Sequence, residues 1–261
     1  MATKDVFQFR SNIGVTGGFA NLFKMEMSKW WKSKYWLFQM LLWSGIINLS
    51  ILSVVTAEPT ELAVLSILGI FFGMFPSIAV VILMSEVISG ERKAGTIQWI
   101  ISKPCSRSAF LGSKLISNMI GIVISMVYIP GIIAYFIISF VGNIQFDFLL
   151  FVLGLSIISL LMIFYLTLSI MLGTVSNQTG LIIGLPLLFN FGVTSFLQSI
   201  KGLFAFLPHG LFFPWSSSGN SVFSLVVMGL PLESIMPIVI TLALTTIFIL
   251  VSVYKFNKEE F

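Results

Sequence analysis

The chain has 261 residues, of which 57% are hydrophobic and only 9% are charged. Soluble globular domains carry about a quarter of charged residues, so this composition excludes that class of protein. The net charge of +4 is compatible with nucleic-acid binding, but the basic residues lie beside apolar segments rather than on a soluble face. Residues 1–261 are therefore predicted to form a single transmembrane domain, an all-α polytopic membrane protein with no nucleic acid as partner.

Residues 1–35 are predicted to form a cytoplasmic tail followed by an N-terminal interfacial amphipathic helix. Residues 1–18 are polar and lack the apolar core of a cleavable signal peptide. From Phe19 to Lys34, bulky apolar residues recur on one helical face and lysines on the other, a pattern typical of helices that lie in the membrane interface. Glu26 is the charged exception on the apolar face. An ordinary basic flank before the first span is the alternative.

Six segments are predicted to be transmembrane helices, because each is apolar and close to the length that crosses a bilayer. Pro76 is expected to bend the second segment, and Pro130-Gly131 to interrupt the third. The spacings Gly69-x-x-x-Gly73 and Gly180-x-x-x-Gly184 mark candidate faces for close helix packing. The six segments are residues 36–56, 62–85, 115–139, 149–173, 180–197 and 235–254.

Residues 198–234 form a segment between the fifth and sixth spans that does not fit a further span. Its apolar runs, 202–213 and 222–230, are too short to cross a membrane and are broken by prolines and glycine. Backbone of this kind inside a membrane must be buried in protein or face water. We therefore expect two short outer helices, re-entrant or interfacial.

The basic residues give the orientation of the spans. Thirteen of the fourteen Lys and Arg residues fall on one side of this layout, and only Lys201 falls on the other. Lys and Arg near span ends resist translocation, so the basic side is cytoplasmic and both termini lie there. A seventh span would move Lys255 and Lys258 to the wrong side.

Residues 86–114, here called the basic loop, are the only long polar insertion between spans. A charged run lies between two glycines, Thr96 can cap a helix, and isoleucines then recur at helical spacing until a proline ends the helix. The turn Cys105-Ser106-Arg107-Ser108 can cap the next helix, which runs through Lys114 into the third span. The residues of the first part are Gly90, Glu91, Arg92, Lys93, Gly95, Thr96, Ile97, Ile100, Ile101 and Pro104.

The pattern Glu91-x-x-x-Gly95-Thr96, an apolar helix, Pro104-x-x-Arg107 and then Lys114 resembles the first cytoplasmic loop of ABC export permeases of the second type. The resemblance implies that the loop carries a coupling helix, which docks into a separate cytosolic ATPase subunit. It also implies a second copy of this permease, or a similar one, with the first and fifth spans at the dimer seam. Gly180 and Gly184 would then lie at that seam. Membrane lipids are the remaining expected partners of the chain.

The same resemblance assigns roles to the residues of the basic loop. Ile97, Ile100 and Ile101 would form the face on which the ATPase pushes, while Gly95, Thr96 and Pro104 would set the shape of the loop. Glu91, Arg92 and Arg107 would contact the ATPase or brace the loop, with simple attachment to the membrane interface as the alternative. ATP and Mg would bind to the partner ATPase and not to this chain.

The sequence shows no catalytic or metal-binding constellation, so no enzyme activity is predicted. No ionisable residue lies in the middle of a predicted span, and no glycine is followed by lysine as a Walker motif requires. His209 and Cys105 are the only residues of their types.

Three functions remain open at this point. The leading one is the permease subunit of an ATP-driven exporter in a bacterial cytoplasmic membrane, with an apolar or amphipathic cargo such as a peptide, a lipid or a drug. The alternatives are a secondary transporter or channel that works alone, and a membrane scaffold that recruits a cytosolic protein without transporting anything.

Overall fold

The structure, a computed structural model, describes residues 18–57, 60–97, 105–197, 201–215 and 219–258, and every regular element in these ranges is helical. The predicted all-α class is confirmed for this part of the chain. A π-helical turn covers Val123–Tyr128, and two 3₁₀ helices cover Lys201–Phe206 and Pro208–Leu211. The α-helices are α1 (Phe19–Lys32), α2 (Tyr35–Val55), α3 (Glu61–Ser85), α4 (Ser89–Lys93), α5 (Arg107–Ile122), α6 (Ile129–Phe140), α7 (Phe148–Val175), α8 (Thr179–Leu197), α9 (Val222–Val227) and α10 (Met236–Lys258).

Five helices in the described ranges are long and apolar enough to cross a membrane, which makes the chain a multi-pass membrane protein. They correspond to the predicted first, second, third, fourth and sixth spans. The predicted fifth span is α8, an apolar helix that is shorter than the other five. The count of six spans therefore stays a prediction. The five helices are Trp36–Val55, Glu61–Lys93, Arg107–Phe140, Phe148–Val175 and Met236–Lys258.

The interruption predicted at Pro130-Gly131 takes the form of a wider helical turn and not of a break. The helix continues from Arg107 to Phe140, and just before the proline the N–H of Ile129 donates to the carbonyl of Ile124, five residues back. Proline has no N–H, and its ring collides with a carbonyl of the preceding turn, so the wider turn removes the conflict while the helix goes on. Asn48 of α2 donates to the Pro130 carbonyl at 3.3 Å.

The longest α-helix, α7, lies at the centre of the bundle. It packs against α3, α8, α9 and α10, and most residues of its second half are buried. The ring of Phe164 lies 5.9 Å from that of Phe189 on α8 and 5.6 Å from that of Phe248 on α10. These aromatic contacts hold three of the long helices together through one side chain.

The outer segment packs into the bundle through large aromatic side chains. Phe212 and Phe223 are fully buried and lie against α3. A Cβ atom at Gly73 would lie 2.2 Å from the Phe212 ring, and one at Gly69 would lie 3.0 Å from the Phe212 carbonyl oxygen. The predicted packing face of Gly69 and Gly73 is thus filled by the same chain.

His209 is buried at the centre of this segment. Its Nε2 lies 3.3 Å from the Asn190 carbonyl oxygen, and the rings of Phe189 and Phe212 lie 5.0 and 5.7 Å away. Burial lowers the pKa of His209 to about 4, against the opposing effect of the hydrogen bond to Asn190. The ring is therefore neutral at physiological pH and joins the outer segment to α8.

Candidate functional site

The first part of the basic loop continues α3 as a compact turn. Ile88 and Ile97 are buried in the bundle, and Ser89 donates to the Ser85 carbonyl at 2.5 Å. Gly95 has a φ of +67°, a left-handed conformation that glycine adopts without strain. Thr96 donates from its hydroxyl to the Glu91 carbonyl at 3.0 Å, which closes the turn after α4. Thr96 is also the first helical residue after this turn, and the predicted cap stays a prediction because the residues it would bond lie outside the described ranges.

A group of four charges, of which Lys114 and Glu26 are buried, joins α4 to α1 and α5. Lys114 is 3% exposed, and its Nζ lies 2.5 Å from Glu91 Oε1 and 3.1 Å from Glu26 Oε1. Lys29 Nζ lies 2.7 Å from the same oxygen of Glu26 and 3.9 Å from Glu91 Oε1. We call Glu26, Lys29, Glu91 and Lys114 the Lys114 cluster. Its two positive and two negative side chains balance, as burial of charge requires.

The Lys114 cluster explains why α1 carries a carboxylate on its apolar face. Glu26 is buried between α1 and α5, beside Trp30, whose Nε1 donates to Asn118 Oδ1 at 3.0 Å. A Cβ atom at Gly121 would lie 2.5 Å from the Trp30 ring, so glycine is required for α1 to lie this close to α5. Glu26 lies among apolar residues because its carboxylate pairs with Lys114 of α5 and not with water.

Arg92 joins the loop to the end of α7. Its guanidinium donates to the carbonyl oxygens of Gly173 at 3.2 Å and Thr174 at 3.4 Å, and to Asn177 Oδ1. The last carbonyls of a helix have no partner within the helix, and the partial negative charge there favours a cation. Lys93 makes a parallel contact, since its Nζ donates to Thr179 Oγ1 at 2.9 Å at the start of α8.

Arg107 joins the far side of the loop to α10. Its guanidinium donates to the carbonyl oxygen of Asn257 at 2.9 Å, in the last turn of that helix. One turn further along α5, the Phe110 ring stacks on Phe256 with centroids 5.5 Å apart. The predicted cap is confirmed, because Ser106 accepts a hydrogen bond from the Ala109 N–H at 3.0 Å.

The structure brings together only part of the predicted site. Glu91, Arg92, Gly95, Thr96 and Ile97 lie together, and Arg107 lies where α5 meets α10. Ile100, Ile101 and Pro104 lie outside the described residues, with most of the predicted coupling helix.

The two glycine pairs lie in different surroundings. Gly180 and Gly184 lie on an exposed face of α8, with no atom within 4 Å of a Cβ at either position, while Gly69 and Gly73 are packed against the outer segment. Only the α8 pair leaves room for another molecule.

Neither Glu26 nor Asn177 was predicted from the sequence to belong to this site. Lys114 was part of the predicted motif, but its ion-pair partners were not predicted. Glu26 carried a usable signal, because a carboxylate on an apolar helical face requires a cation nearby. Asn177 carried no such signal, since an asparagine in a short polar turn is ordinary.

The described part of the chain contains no group of three or more His, Cys, Asp or Glu side chains that could hold a metal ion. The site is thus a set of ion pairs and helix-end contacts that links parts of the bundle mechanically.

The model of the family described as ABC-2 family transporter protein matches residues 3–261 of the chain. No curated protein matches the chain.

The Lys114 cluster gives a stability prediction. Lys114→Met should destabilise the protein by about 3 kcal/mol, because the buried carboxylate of Glu26 and the partly buried one of Glu91 would lose a close cationic partner. The measurement is the thermal unfolding midpoint in detergent. Lys114→Met combined with Glu26→Gln and Glu91→Gln should recover most of the loss. Lys255→Met, at an exposed lysine of α10, is the control. Equal midpoints for Lys114→Met and Lys255→Met would contradict the assignment.

Proposed function

The chain belongs to the ABC-2 family of transporter membrane proteins, and from this premise we propose that it is the permease subunit of an ATP-driven exporter. Permeases of this family normally pair with ATPase subunits. ATP and Mg would bind on that separate subunit, and this chain would supply the translocation pathway and the surface that receives the motion of the ATPase.

The observation that carries the proposal is that the basic loop is joined to four other elements of the bundle. It contacts α1 through Glu91 and the Lys114 cluster, α7 through Arg92, α8 through Lys93 and α10 through Arg107. A displacement of the loop would therefore reach the ends of several long helices at once. A loop that merely attached the protein to lipid headgroups would not need side chains directed at helix ends.

We place the basic loop in the cytoplasm, with α8 as the fifth of six spans and both termini on the same side. The basic residues of the loop and of the end of α10 support this orientation. The deep packing of Phe212 and Phe223 supports a re-entrant outer segment, because its irregular backbone would be buried in protein.

In this mechanism the segment between Ile97 and Arg107 docks into the ATPase and follows its closure, while the buried Ile97 and the bonded Arg107 attach its two ends to the bundle. Glu91, Arg92 and Arg107 act as braces within the permease, since their observed contacts go to its own helices. Gly95 and Thr96 set the turn that leads into the docking segment. The braced helices then tilt together and alternate the access of the pathway. Cargo would be apolar or amphipathic, because the predicted spans carry apolar and neutral polar side chains in their middle parts.

Two permeases would form the pathway, with α8 at their seam. Gly180 and Gly184 leave the α8 backbone open on an exposed face, and Leu188 beside them is 73% exposed. Small residues four positions apart allow a second helix to approach closely inside a membrane.

Charge reversal tests the bracing role. Arg92→Glu and Arg107→Glu should leave the permease bound to its ATPase but reduce cargo transport per ATP hydrolysed, because the carbonyls at the ends of α7 and α10 would repel a carboxylate. The assay is co-purification with the ATPase, followed by transport and hydrolysis in proteoliposomes. Lys24→Glu, at an exposed position of α1, is the matched control. Unchanged coupling in both variants, or no ATPase in the co-purified material, would refute the mechanism.

A second variant tests the seam. Gly184→Leu should weaken permease dimerisation without lowering the stability of the monomer. In the monomer the added side chain meets open space, whereas in the dimer it would collide with the partner helix. Dimer content is measured by mass photometry or native mass spectrometry. Val239→Phe, which enlarges an exposed apolar residue of α10 by a similar amount, is the control. The seam is wrong if Gly184→Leu dimerises as well as the control variant.

A further inference from the structure

A cleft of about 180 Å³ opens between α1, the end of α3 and α5, directly beside the Lys114 cluster. One wall is apolar and is formed by Leu83, Met84 and Val87 with Trp30. A neighbouring open groove along α1 is lined by Ser28, Lys29 and Lys32 among others. Lys29 and Ser33 line both, so the apolar cleft and the basic groove meet along α1.

The charges around this junction leave an excess of positive charge at its mouth. Lys114 lies in the floor and is balanced by Glu26 and Glu91 at 3.1 and 2.5 Å. Lys29 keeps a side chain that is 54% exposed, and Lys32 is exposed one turn further on. With three lysines and one glutamate, α1 carries a net charge of +2. The mouth is thus suited to a group that brings its own negative charge.

We propose that this junction is a binding site for an anionic phospholipid. The phosphate would lie between Lys29 and Lys32, with the Ser28 hydroxyl in the same groove, and the start of an acyl chain would lie against Leu83 and Val87. The apolar wall argues for a lipid over a free phosphate, because a small soluble anion would gain nothing from it. The proposal rests on the orientation given above, in which α1 lies at the inner membrane surface.

Binding at this site would act on the basic loop. Lys29 Nζ lies 2.7 Å from Glu26 and 3.9 Å from Glu91, so a phosphate that draws Lys29 outward leaves both carboxylates to Lys114. The lipid would thereby change how firmly α1 holds the loop. Lys29 is the link between the two, because it is the exposed member of a cluster whose other cation is buried.

The test uses the purified full-length permease without any ATPase, so its outcome is independent of the proposed function. Thermal unfolding midpoints are compared in nanodiscs of phosphatidylcholine alone and with increasing phosphatidylglycerol. We expect phosphatidylglycerol to raise the midpoint of the wild type. In Lys29→Gln/Lys32→Gln the fraction of phosphatidylglycerol that gives half of this rise should be roughly tenfold higher, from the usual contribution of a lysine at an anionic surface.

Two controls make the result specific. Lys255→Gln/Lys258→Gln removes the same charge from the end of α10 and should respond to phosphatidylglycerol like the wild type, and Lys29→Arg/Lys32→Arg should also do so. Each variant is compared with itself in the two lipids, so a change in its basal stability cancels. An equal loss of response in the α10 variant would overturn the site. An equal rise with soluble glycerol phosphate would overturn the assignment to a lipid.

Discussion

The structure depends on the burial of one positive charge. Lys114 lies on α5 with almost no exposure to solvent, and a buried ammonium is tolerated only with close anionic partners. Those partners come from two other helices, Glu26 from α1 and Glu91 from α4. The requirement to pair this charge therefore fixes the helix before the first span, the loop after the second and the start of the third against one another.

The remaining contacts of the loop follow from a second constraint, the carbonyl groups that are left without partners at helix ends. Arg92 donates to those of α7 and Arg107 to one of α10. Both guanidinium groups present several donors in one plane, which suits neighbouring carbonyl oxygens better than an ammonium does. A short polar segment can thus be joined to long apolar helices through the backbone carbonyls of their last turns. The described parts of the loop, residues 86–97 and 105–114, therefore pack as part of the bundle.

The sequence predicted the elements better than their contacts. A long apolar helix and a helix cap are determined by residues that are close in sequence. The structure confirms five of the predicted apolar spans as long helices, and Ser106 caps α5 within the predicted turn. The partner of Glu26 is 88 residues away, so the chain order around Glu26 shows only that a carboxylate stands on an apolar face. The two glycine pairs also show that spacing does not predict contacts. They have the same spacing, but Phe212 packs against the pair in α3, whereas the pair in α8 has no neighbour in the described structure. The π-helical turn before Pro130 was also hidden, since proline restricts the helix without specifying how the helix adapts.

The central claim is that the basic loop is the surface on which the ATPase docks, and Cys105 allows a direct measurement. It is the chain's only cysteine, it is partly exposed, and it lies within the proposed docking segment between Ile97 and Arg107. The rate at which a maleimide modifies Cys105 is measured by mass spectrometry with the permease alone and with saturating ATPase subunit. The account predicts that the ATPase slows the modification severalfold, because the docked subunit covers this position. An unchanged rate in a complex that is shown to be assembled would contradict the account.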